Sequence, residues 1–431
     1  MIEKITPVKK IEGEIITPGD KSVSHRAALF NSISLGTSKI TNFCVGDDKT
    51  AILNCLNGLG AKIEESGNSI IIKGVGLDGL HEPNNVLNAG NSGTTMRLMS
   101  GLLSGNDFHS VITGDKSLRS RPMGRITAPL SEMGALIYGR KNNTLAPLTF
   151  HGGNLTAIEY KMPVASAQLK SCLMIAGLYA KGKTTIHQPG PSRDHTEKIL
   201  QSMGAKIAIQ GLKLEIQRSD LTSIDVNVPS DTSNSTFWIV AACCHPDASI
   251  KLKNVGMNPT RTGMLEVLNS MGARIKISAT RLENGEPIAD ILVESSELIG
   301  TDISGEIIPR VIDELPILAL AACFAKGTTT IKDSEELRVK ESDRIKSTVD
   351  SLSKLGANIS ETKDGMVIKG GAQLIGSEVD SFGDHRIAMT NGIAGLLAKG
   401  ETTIINSEAA DISYPTFWKT LSTLGTPHES P

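Results

Sequence analysis

Residues able to bind an anion stand at the start of an apolar, alanine-rich segment near the beginning of the chain. Lys21, Ser22 and Arg26 follow the turn at Pro18 and Gly19, and the residues after them predict a helix. The unpaired N–H groups of such a helix start attract anions, but two cations in the first turn oppose the helix dipole. Helix stability therefore does not explain these cations. A solvated basic turn is the simplest alternative.

Similar polar starts recur before later apolar segments. They occupy Asn88–Arg97, Arg119–Pro122, Ser166–Gln168, Ser192–His195, Asp313–Glu314, Arg338–Arg344 and Asp384–Arg386. With the first start they supply arginines, lysines and carboxylates at Arg26, Arg121, Arg193, Arg344, Arg386, Lys21, Lys340, Asp313 and Glu341. Arginine binds carboxylate or phosphate through paired hydrogen bonds, and a lysine beside carboxylates can transfer protons. The set indicates a small polyanionic substrate and acid–base chemistry.

The densest cluster is Arg338–Arg344. We predict it to be helical, which would place Lys340 and Glu341 on one face with Arg344, because they precede it by four and three residues. A surface ladder of ion pairs is the alternative for this cluster taken alone.

Two other starts also have a purely structural explanation. The glycines and hydroxyls of Asn88–Arg97 suggest close approach of the backbone to an anion, but no lysine follows them as in a Walker loop, and a plain glycine turn fits equally well. Asp313 and Glu314 precede a wholly apolar helix, where carboxylates are also favoured by the helix dipole.

These polar starts precede the helices of one structural unit that the sequence repeats six times. Its first element is an Ala/Leu-rich helix with a small-residue cap and a Thr/Ile-rich strand, and the version Lys-Gly-x-Thr-Thr-Ile occurs at residues 181–186, 326–331 and 399–404. Its second element is a helix ending in Leu/Met-Gly-Ala before an alternating strand. The glycines of this second element recur about 70 residues apart, at Gly60, Gly134, Gly204, Gly272 and Gly356, with a truncated copy at Gly425.

The repeats predict an α/β fold with two domains. Three repeats give about 200 residues, an ordinary domain size. We therefore predict an N-terminal domain of residues 19–227 and a C-terminal domain of residues 1–18 plus 228–431. The polar starts, at equivalent ends of the repeats, would face a cleft between the domains. From the residues alone, the strand in residues 1–17 could pair with either half.

Composition excludes several classes of function. The chain has 431 residues and a net charge of −2, and it contains only 2 Trp, 4 Tyr and 8 Phe, so neither nucleic acid nor a membrane surface is an expected partner. Its six cysteines include no C-x-x-C pair, which favours reduced thiols over disulfides or a metal site. We find no signal segment or membrane span and expect a cytoplasmic protein.

The motifs PGDKSVSHRA, GNSGTTMR, RSRPMGR, SAQLKS, SRDHTEK, IDELPILA, LRVKESDR and FGDHRIAM extend over nearly the whole chain. In sequence and order they resemble those of the 5-enolpyruvylshikimate-3-phosphate synthases, which are enolpyruvyl transferases. The resemblance implies two domains, each of three βαβαββ units around a pseudo-threefold axis, with the active site in the interdomain cleft. It also places the N-terminal strand with the C-terminal half.

The resemblance implies transfer of the enolpyruvyl group of phosphoenolpyruvate to the 5-hydroxyl of shikimate 3-phosphate through a tetrahedral intermediate, with release of phosphate. It implies no metal and no organic cofactor, and a monomer. By position, shikimate 3-phosphate would be held by Lys21, Ser22, Arg26, Ser166, Gln168, Arg193, Asp313 and Lys340. Phosphoenolpyruvate would be held by Lys21, Gly93, Arg121, Gln168, Arg344 and Arg386.

The resemblance also implies catalytic roles. Asp313 would take the proton of the 5-hydroxyl, while Glu341 and Lys21 would deliver a proton to the methylene carbon. Two positions depart from the pattern of some members: Ala167 replaces a serine, and Asp411 stands in the region where a lysine would be expected. Gly93 matches a position where a small residue admits the herbicide glyphosate, so we expect sensitivity to it.

Two alternatives remain. UDP-N-acetylglucosamine enolpyruvyl transferases share the fold and donor but rely on a cysteine in the loop matching Thr113–Arg121, where this chain has none. A non-catalytic repeat protein that binds anionic metabolites would explain the arginines but not Asp313 and Glu341.

Overall fold

The computed structural model describes residues 1–371 and 373–427. They form two compact units. We call residues 19–229 together with 282–286 the N-unit, and residues 1–18, 230–281 and the described residues from 287 on the C-unit.

The N-unit contains three repeats. Its helices are Lys21–Ser32, Asp47–Gly58, Gly93–Gly105, Gly124–Glu132, Ala167–Gly177 and His195–Ser202, with a single 3₁₀ turn at Leu118–Ser120 and a short turn at Arg140–Asn143. Its strands are Leu35–Thr41, Lys62–Ser66, Ser69–Val75, Leu87–Asn88, His109–Thr113, Leu136–Gly139, Leu145–His151, Glu159–Lys161, Lys183–His187, Ile207–Gln210, Lys213–Gln217 and Val226–Asn227.

The three sheets of the N-unit share one strand order. In the third repeat the short strand Glu159–Lys161 runs parallel to Lys183–His187, which pairs antiparallel with Lys213–Gln217 of the following hairpin. The first repeat obtains its short parallel strand from the far end of the unit, because Val226–Asn227 pairs with Leu35–Thr41. The first and last segments of the N-unit are therefore joined in one sheet.

The C-unit repeats the scheme less regularly. Its α-helices are Thr232–Cys244, Gly263–Ser270, Ile308–Val311, Leu315–Phe324, Arg344–Lys354, His385–Leu397 and Phe417–Leu424, and its 3₁₀ helices are Gly305–Ile307, Glu335–Val339 and Ser407–Ile412. Its strands are Ile2–Ile5, Val8–Ile15, Ala248–Gly256, Arg274–Glu283, Glu286–Glu294, Asp302–Ile303, Thr328–Ile331, Asn358–Glu361, Met366–Lys369, Glu378–Asp380, Thr402–Ile405 and Gly425–Pro427. The hairpin of Arg274–Glu283 and Glu286–Glu294 is included whole, although its tip, residues 282–286, is counted with the N-unit.

The N-terminal residues complete two sheets of the C-unit. Val8–Ile15 runs parallel to Ala248–Gly256, and Ile2–Ile5 pairs antiparallel with Thr402–Ile405. The truncated sixth repeat thus receives from the start of the chain a strand that it does not supply itself.

The first helix of each repeat is buried on nearly all sides. In the helix Lys21–Ser32 every residue from Val23 onward is buried. Polar side chains on these helices bond to their own backbone: Asn31 Nδ2 donates to the Ala27 carbonyl at 3.0 Å. These hydrogen bonds satisfy the buried polar side chains within each helix. The polar groups that remain for a ligand therefore lie at the helix starts.

The predicted glycine caps have the backbone conformation that a helix stop requires. Five glycines of the Leu/Met-Gly-Ala motif have φ between +84° and +103°, a left-handed conformation that side chains disfavour. The cysteines are free thiols, and burial raises the pKa of Cys55 to about 12. Within the described residues, no helix is both long and apolar enough to cross a membrane.

Candidate active site

Lys21 lies at the first position of its helix and pairs with a carboxylate from the next helix. Asp20 caps the helix by accepting the Val23 N–H at 2.9 Å. Lys21 Nζ lies 3.0 Å from Asp48 Oδ2, and Asp48 is only 5% exposed. Burial would raise the pKa of Asp48, but Lys21, His25 and a hydrogen bond from Ser92 together outweigh burial and the pKa is lowered. The Asp48 carboxylate is thus the counter-charge of the Lys21 ammonium.

His25 lies one turn further along and is buried. Its Nδ1 is 2.8 Å from the Lys21 carbonyl, which can only accept, so Nδ1 carries the proton. Its Nε2 is then an acceptor and lies 3.2 and 3.4 Å from the hydroxyl oxygens of Thr95 and Ser92. Burial lowers the pKa of His25 to about 4, so the imidazole is neutral at neutral pH.

Arg26 is buried among uncharged partners. Its Nε donates to Thr196 Oγ1 at 2.6 Å, its Nη2 to Ser171 Oγ at 2.8 Å and its Nη1 to the Ser22 carbonyl at 3.0 Å. No carboxylate among the described residues lies within 4.0 Å of its nitrogens. Burial lowers the pKa of Arg26 to about 10, which still leaves it charged at neutral pH. Two of the five N–H donors of a guanidinium remain for a ligand.

A buried ion pair fixes the two helices that provide the hydroxyls to Arg26. Lys170 Nζ lies 2.5 Å from Glu197 Oε1, and the two side chains are 1% and 5% exposed. Lys170 precedes Ser171, and Glu197 follows Thr196. Removing one partner would leave a buried charge unpaired, so the pair positions the hydroxyls firmly.

Ser166 and Arg193 lie near this group. Ser166 caps the helix Ala167–Gly177 by accepting the Leu169 N–H at 3.4 Å. Arg193 is close enough to Arg26 for its charge to help lower the pKa of Arg26.

Gly93, Arg121 and Gln168 form a second group in the N-unit, around Arg97. Gln168 Oε1 accepts from Arg97 Nη1 at 2.7 Å. A Cβ added to Gly93 would lie 2.7 Å from Arg97 Nη1 and 3.2 Å from Arg121 Nη1. Two guanidiniums thus crowd one glycine, and Arg121 Nη2 also donates to Asn91 Oδ1 at 2.7 Å.

In the C-unit, Arg344 is surrounded by three carboxylates. Its Nε and Nη2 lie 2.8 and 3.2 Å from the two oxygens of the fully buried Asp384. Nη2 also donates to Glu341 Oε2 at 2.7 Å, and Nη1 to Asp313 Oδ1 at 3.3 Å. Burial would lower the pKa of Arg344, but the carboxylates outweigh it and the pKa is raised.

Asp313 lies between two cations. Besides the contact with Arg344, its Oδ1 is 3.9 Å from Lys340 Nζ, and the Asp313 side chain is 19% exposed. Lys340 is also 3.7 Å from Glu336 Oε1. The carboxylate is thus accessible and held in position by two neighbouring cations, and a carboxylate so positioned can act as a general base.

The predicted helix over Arg338–Arg344 is wrong. Glu335–Val339 is a 3₁₀ helix, Lys340 is extended, and the α-helix begins only at Arg344. The cause is Asp343, whose side chain accepts the Lys346 N–H at 3.1 Å and caps the helix there. The contact between Glu341 and Arg344 therefore arises across a helix start, not along a helix face.

Arg386 is a buried guanidinium that has no hydrogen-bonded counter-charge within the described residues. It is 6% exposed, and its Cζ lies 6.0 Å from the ring centroid of Phe237. Among the described residues, its Nε and Nη1 have no hydrogen-bond partner. Such donors are costly to bury unless an anion binds them.

The structure therefore gathers the predicted residues other than Arg386 into three groups. Lys21, Ser22, Arg26, Ser166 and Arg193 lie at helix starts of the N-unit around Arg26, and Gly93, Arg121 and Gln168 lie around Arg97. Asp313, Lys340, Glu341 and Arg344 form one ionic network of the C-unit.

Sequence reasoning missed Asp48, Glu197 and Asp384 as contributors. The first two lie in helix first turns, where acidic residues are common for stability alone, so nothing distinguished them. No group of three or more His, Cys, Asp or Glu within the described part of the chain could hold a metal ion.

The N-unit holds anion-binding guanidiniums and a paired lysine, the C-unit holds an accessible carboxylate, and three comparisons bear on the use of these groups. A family model described as EPSP synthase (3-phosphoshikimate 1-carboxyvinyltransferase) matches residues 5–421. The chain is 51% identical over 426 residues to a 3-phosphoshikimate 1-carboxyvinyltransferase of Desulforudis audaxviator, covering 98% of this chain and 99% of the relative. It is 50% identical to that of Synechococcus elongatus, covering 96% and 94%.

A solved structure is also similar. The EPSP synthase from Acinetobacter baumannii matches with a TM-score of 0.88 and 41% sequence identity, covering 99% of this chain and 98% of that one.

Proposed function

The chain belongs to the EPSP synthase family, and on that premise we propose that it transfers the enolpyruvyl group of phosphoenolpyruvate to the 5-hydroxyl of shikimate 3-phosphate. The products are 5-enolpyruvylshikimate 3-phosphate and inorganic phosphate, which makes the reaction a step of the shikimate pathway toward aromatic amino acids.

One observation carries the proposal beyond family membership. Arg26 and Arg386 are both buried, and neither forms an ion pair with a carboxylate among the described residues. A buried guanidinium in such surroundings is stabilised by an anionic ligand. The two substrates together carry two phosphates and two carboxylates, which are suitable counter-charges.

Shikimate 3-phosphate is assigned mainly to the group around Arg26. The phosphate is assigned to Arg193, and the ring substituents to hydroxyl and amide groups at the helix starts. The full set is Lys21, Ser22, Arg26, Ser166, Gln168, Arg193, Asp313 and Lys340.

Phosphoenolpyruvate is assigned to guanidiniums and to the glycine that they crowd. The set is Lys21, Gly93, Arg121, Gln168, Arg344 and Arg386. Four N–H groups of Arg344 face carboxylates, so one remains for this substrate.

The chemistry follows from the accessible carboxylate and the paired lysine. As the oxygen of the 5-hydroxyl bonds to the enol carbon, its proton passes to Asp313, and the methylene carbon gains a proton from Lys21 or Glu341. The bond between this carbon and the phosphate oxygen then breaks and phosphate leaves. A methyl proton returns to the group that supplied it, Lys21 or Glu341, which restores the double bond. Lys21, positioned by its ion pair with Asp48, is suited to the role of acid.

The direct test is release of inorganic phosphate from a mixture of the protein, phosphoenolpyruvate and shikimate 3-phosphate. We expect release to continue in the presence of a chelator, because the proposed chemistry uses no metal. Parallel reactions with UDP-N-acetylglucosamine as acceptor test the alternative transferase, and release only with that acceptor would overturn the proposal. Binding of both substrates without release would instead indicate the non-catalytic alternative.

The domain boundaries at residues 18/19 and 227/228, the monomeric state and the cytoplasmic location remain predictions. Light scattering of the purified protein measures its mass in solution, and a value near 45.7 kDa is expected for a monomer.

A further inference from the structure

The start of the helix His195–Ser202 carries groups on which the proposed binding of shikimate 3-phosphate depends. Arg193 stands two residues before the helix, and Thr196 Oγ1 accepts from Arg26 Nε at 2.6 Å. Within the described part of the chain, the side chain of the N-cap residue Asp194 forms no capping hydrogen bond. The position of this helix start therefore depends on other contacts.

His195, the first residue of the helix, forms a buried pair with Glu286. Its Nδ1 lies 2.7 Å from Glu286 Oε1, and the two side chains are 3% and 4% exposed. A carboxylate can only accept, so Nδ1 donates this hydrogen bond. The other oxygen of Glu286 lies 3.7 Å from Lys198 Nζ, one turn further along the same helix. Glu286 thus contacts the first turn of the helix at two positions.

Glu286 comes from a hairpin tip that is remote from this helix in sequence. It is the last of residues 282–286, which are counted with the N-unit. Asn284 anchors the tip there, because its Oδ1 accepts the Asn227 N–H at 3.1 Å and its Nδ2 donates to the Asp225 carbonyl at 2.7 Å. An anchored tip holds the carboxylate in a fixed place against the helix.

The charge of Glu286 also acts on Arg26. Burial lowers the pKa of Arg26, and the carboxylates of Glu197, Asp20 and Glu286 oppose that lowering. A negative charge that acts on an anion-binding group repels the anion as well, and buried charges are little screened by salt. By its charge alone, Glu286 would therefore weaken the binding of an anionic ligand.

We propose that Glu286 is a positioning residue for the binding of shikimate 3-phosphate. Through His195 it holds the helix start, and with it Thr196 and Arg193, in the place that the ligand requires. The gain from this positioning exceeds the repulsion of the ligand by the carboxylate. The proposal rests on the proposed function, since it concerns the same ligand.

The test is calorimetric titration of shikimate 3-phosphate into the full-length parent and three variants. Glu286→Ala removes both the contact and the charge, whereas Glu286→Asp keeps the charge on a side chain one carbon shorter. Glu286→Gln removes the charge but keeps an oxygen that can accept from His195. We expect binding about tenfold weaker for the first two variants and changed no more than about twofold for the third. Glu283→Ala, which removes another carboxylate of the same tip, should leave the affinity unchanged.

Steady-state kinetics separates this role from a merely structural one. In Glu286→Ala the KM for shikimate 3-phosphate should rise about tenfold, while kcat and the KM for phosphoenolpyruvate, at saturating shikimate 3-phosphate, should change no more than about twofold. The double variant with His195→Ala should bind no more weakly than the weaker single variant, because the two residues act through one contact.

The sign of the change distinguishes position from charge. Tighter binding by Glu286→Ala, parent affinity in Glu286→Asp, or equal affinities of Glu286→Gln and Glu286→Ala would overturn the proposal. So would an equal loss in Glu283→Ala or additive losses in the double variant. Melting temperatures of the same samples identify any unfolded variant, and the Asp and Gln variants decide the matter if Glu286→Ala does not fold.

The parent protein separates this proposal from the proposed function. A parent that binds no shikimate 3-phosphate would overturn both. A parent that binds it and releases phosphate retains the proposed function, whichever result the Glu286 variants give.

Discussion

Arg26 in the N-unit and Arg344 in the C-unit are both almost fully buried, but their surroundings differ in kind. Arg26 contacts two hydroxyls and a carbonyl, whereas Arg344 contacts the carboxylates of Asp313, Glu341 and Asp384. The pKa of Arg26 is accordingly lowered and that of Arg344 raised. Arg26 therefore has no carboxylate partner and is available to bind an anion, while Arg344 chiefly holds three carboxylates in position.

The largest effect should come from the accessible carboxylate beside Arg344. Asp313→Ala removes the proposed base, so we expect kcat to fall about 10²- to 10⁴-fold while calorimetry still shows both substrates binding. The control Glu336→Gln removes another carboxylate near Lys340 and should change kcat no more than about twofold. An Asp313→Ala protein with the parent rate would contradict the role of this carboxylate.

The two arginines should also differ in what their partners contribute to stability. Asp384→Asn removes a buried carboxylate from Arg344, and we expect the free energy of unfolding in urea to fall by about 3–5 kcal/mol. Thr196→Val removes only a hydroxyl from Arg26, for which we expect about 1 kcal/mol. An equal loss in the free energy of unfolding of the two variants would contradict this, because it would mean that the charged partner of Arg344 stabilises the protein no more than the uncharged partner of Arg26.

The region around Arg26 and the region around Arg344 should also lose stability at different pH values. His25, beside Lys21 and Arg26, has its pKa lowered to about 4, whereas an unfolded chain takes up this proton near 6.5. The unfolded state binds more protons between these values, so the free energy of unfolding should fall by about 3 kcal/mol as pH drops from 6.5 to 4. Asp384, whose pKa is lowered from 3.8, loses its contribution only at more acid pH.

Urea unfolding measured across that interval tests this expectation. His25→Gln should flatten the dependence between pH 6.5 and 4, and the control His109→Gln, at an exposed position, should not. An unaltered slope in His25→Gln would show that other groups cause the loss.

A smaller effect is expected at the glycine beside Arg97 and Arg121. The Cβ of Gly93→Ala must displace a guanidinium, so we expect the KM for phosphoenolpyruvate to rise about tenfold and inhibition by glyphosate to weaken. Gly190→Ala is a suitable control, because a Cβ there meets no atom nearer than 3.9 Å. If the parent is no more sensitive to glyphosate than Gly93→Ala, the expected sensitivity is wrong.

The fold was largely predictable because short sequence motifs mark the helix ends and strands of its repeats. Glycines that end helices and Thr-Thr-Ile strands can be identified without knowing which residues meet in space. The six small sheets of the described residues and the likeness to a solved EPSP synthase confirm the predicted enolpyruvyl transferase fold. The family assignment was likewise predictable, because the long motifs are specific.

The partners of the site residues were not predictable. Asp48, Lys170 with Glu197, and Asp384 act through contacts between residues that are remote in sequence. Even within one motif the predicted helix Arg338–Arg344 was wrong, because the Asp343 side chain caps a helix that begins only at Arg344. The assignment of individual residues to the two substrates stays a prediction.

The contrast between the two arginines is tested most directly by titrating shikimate 3-phosphate into Arg26→Gln and the parent protein, with melting temperature measured on the same samples. We predict an affinity about 10- to 100-fold weaker with little change in melting temperature, because Arg26 binds ligand and its protein partners are uncharged. Unchanged affinity together with a melting temperature as low as that of Asp384→Asn would show Arg26 to be structural, and would contradict the account.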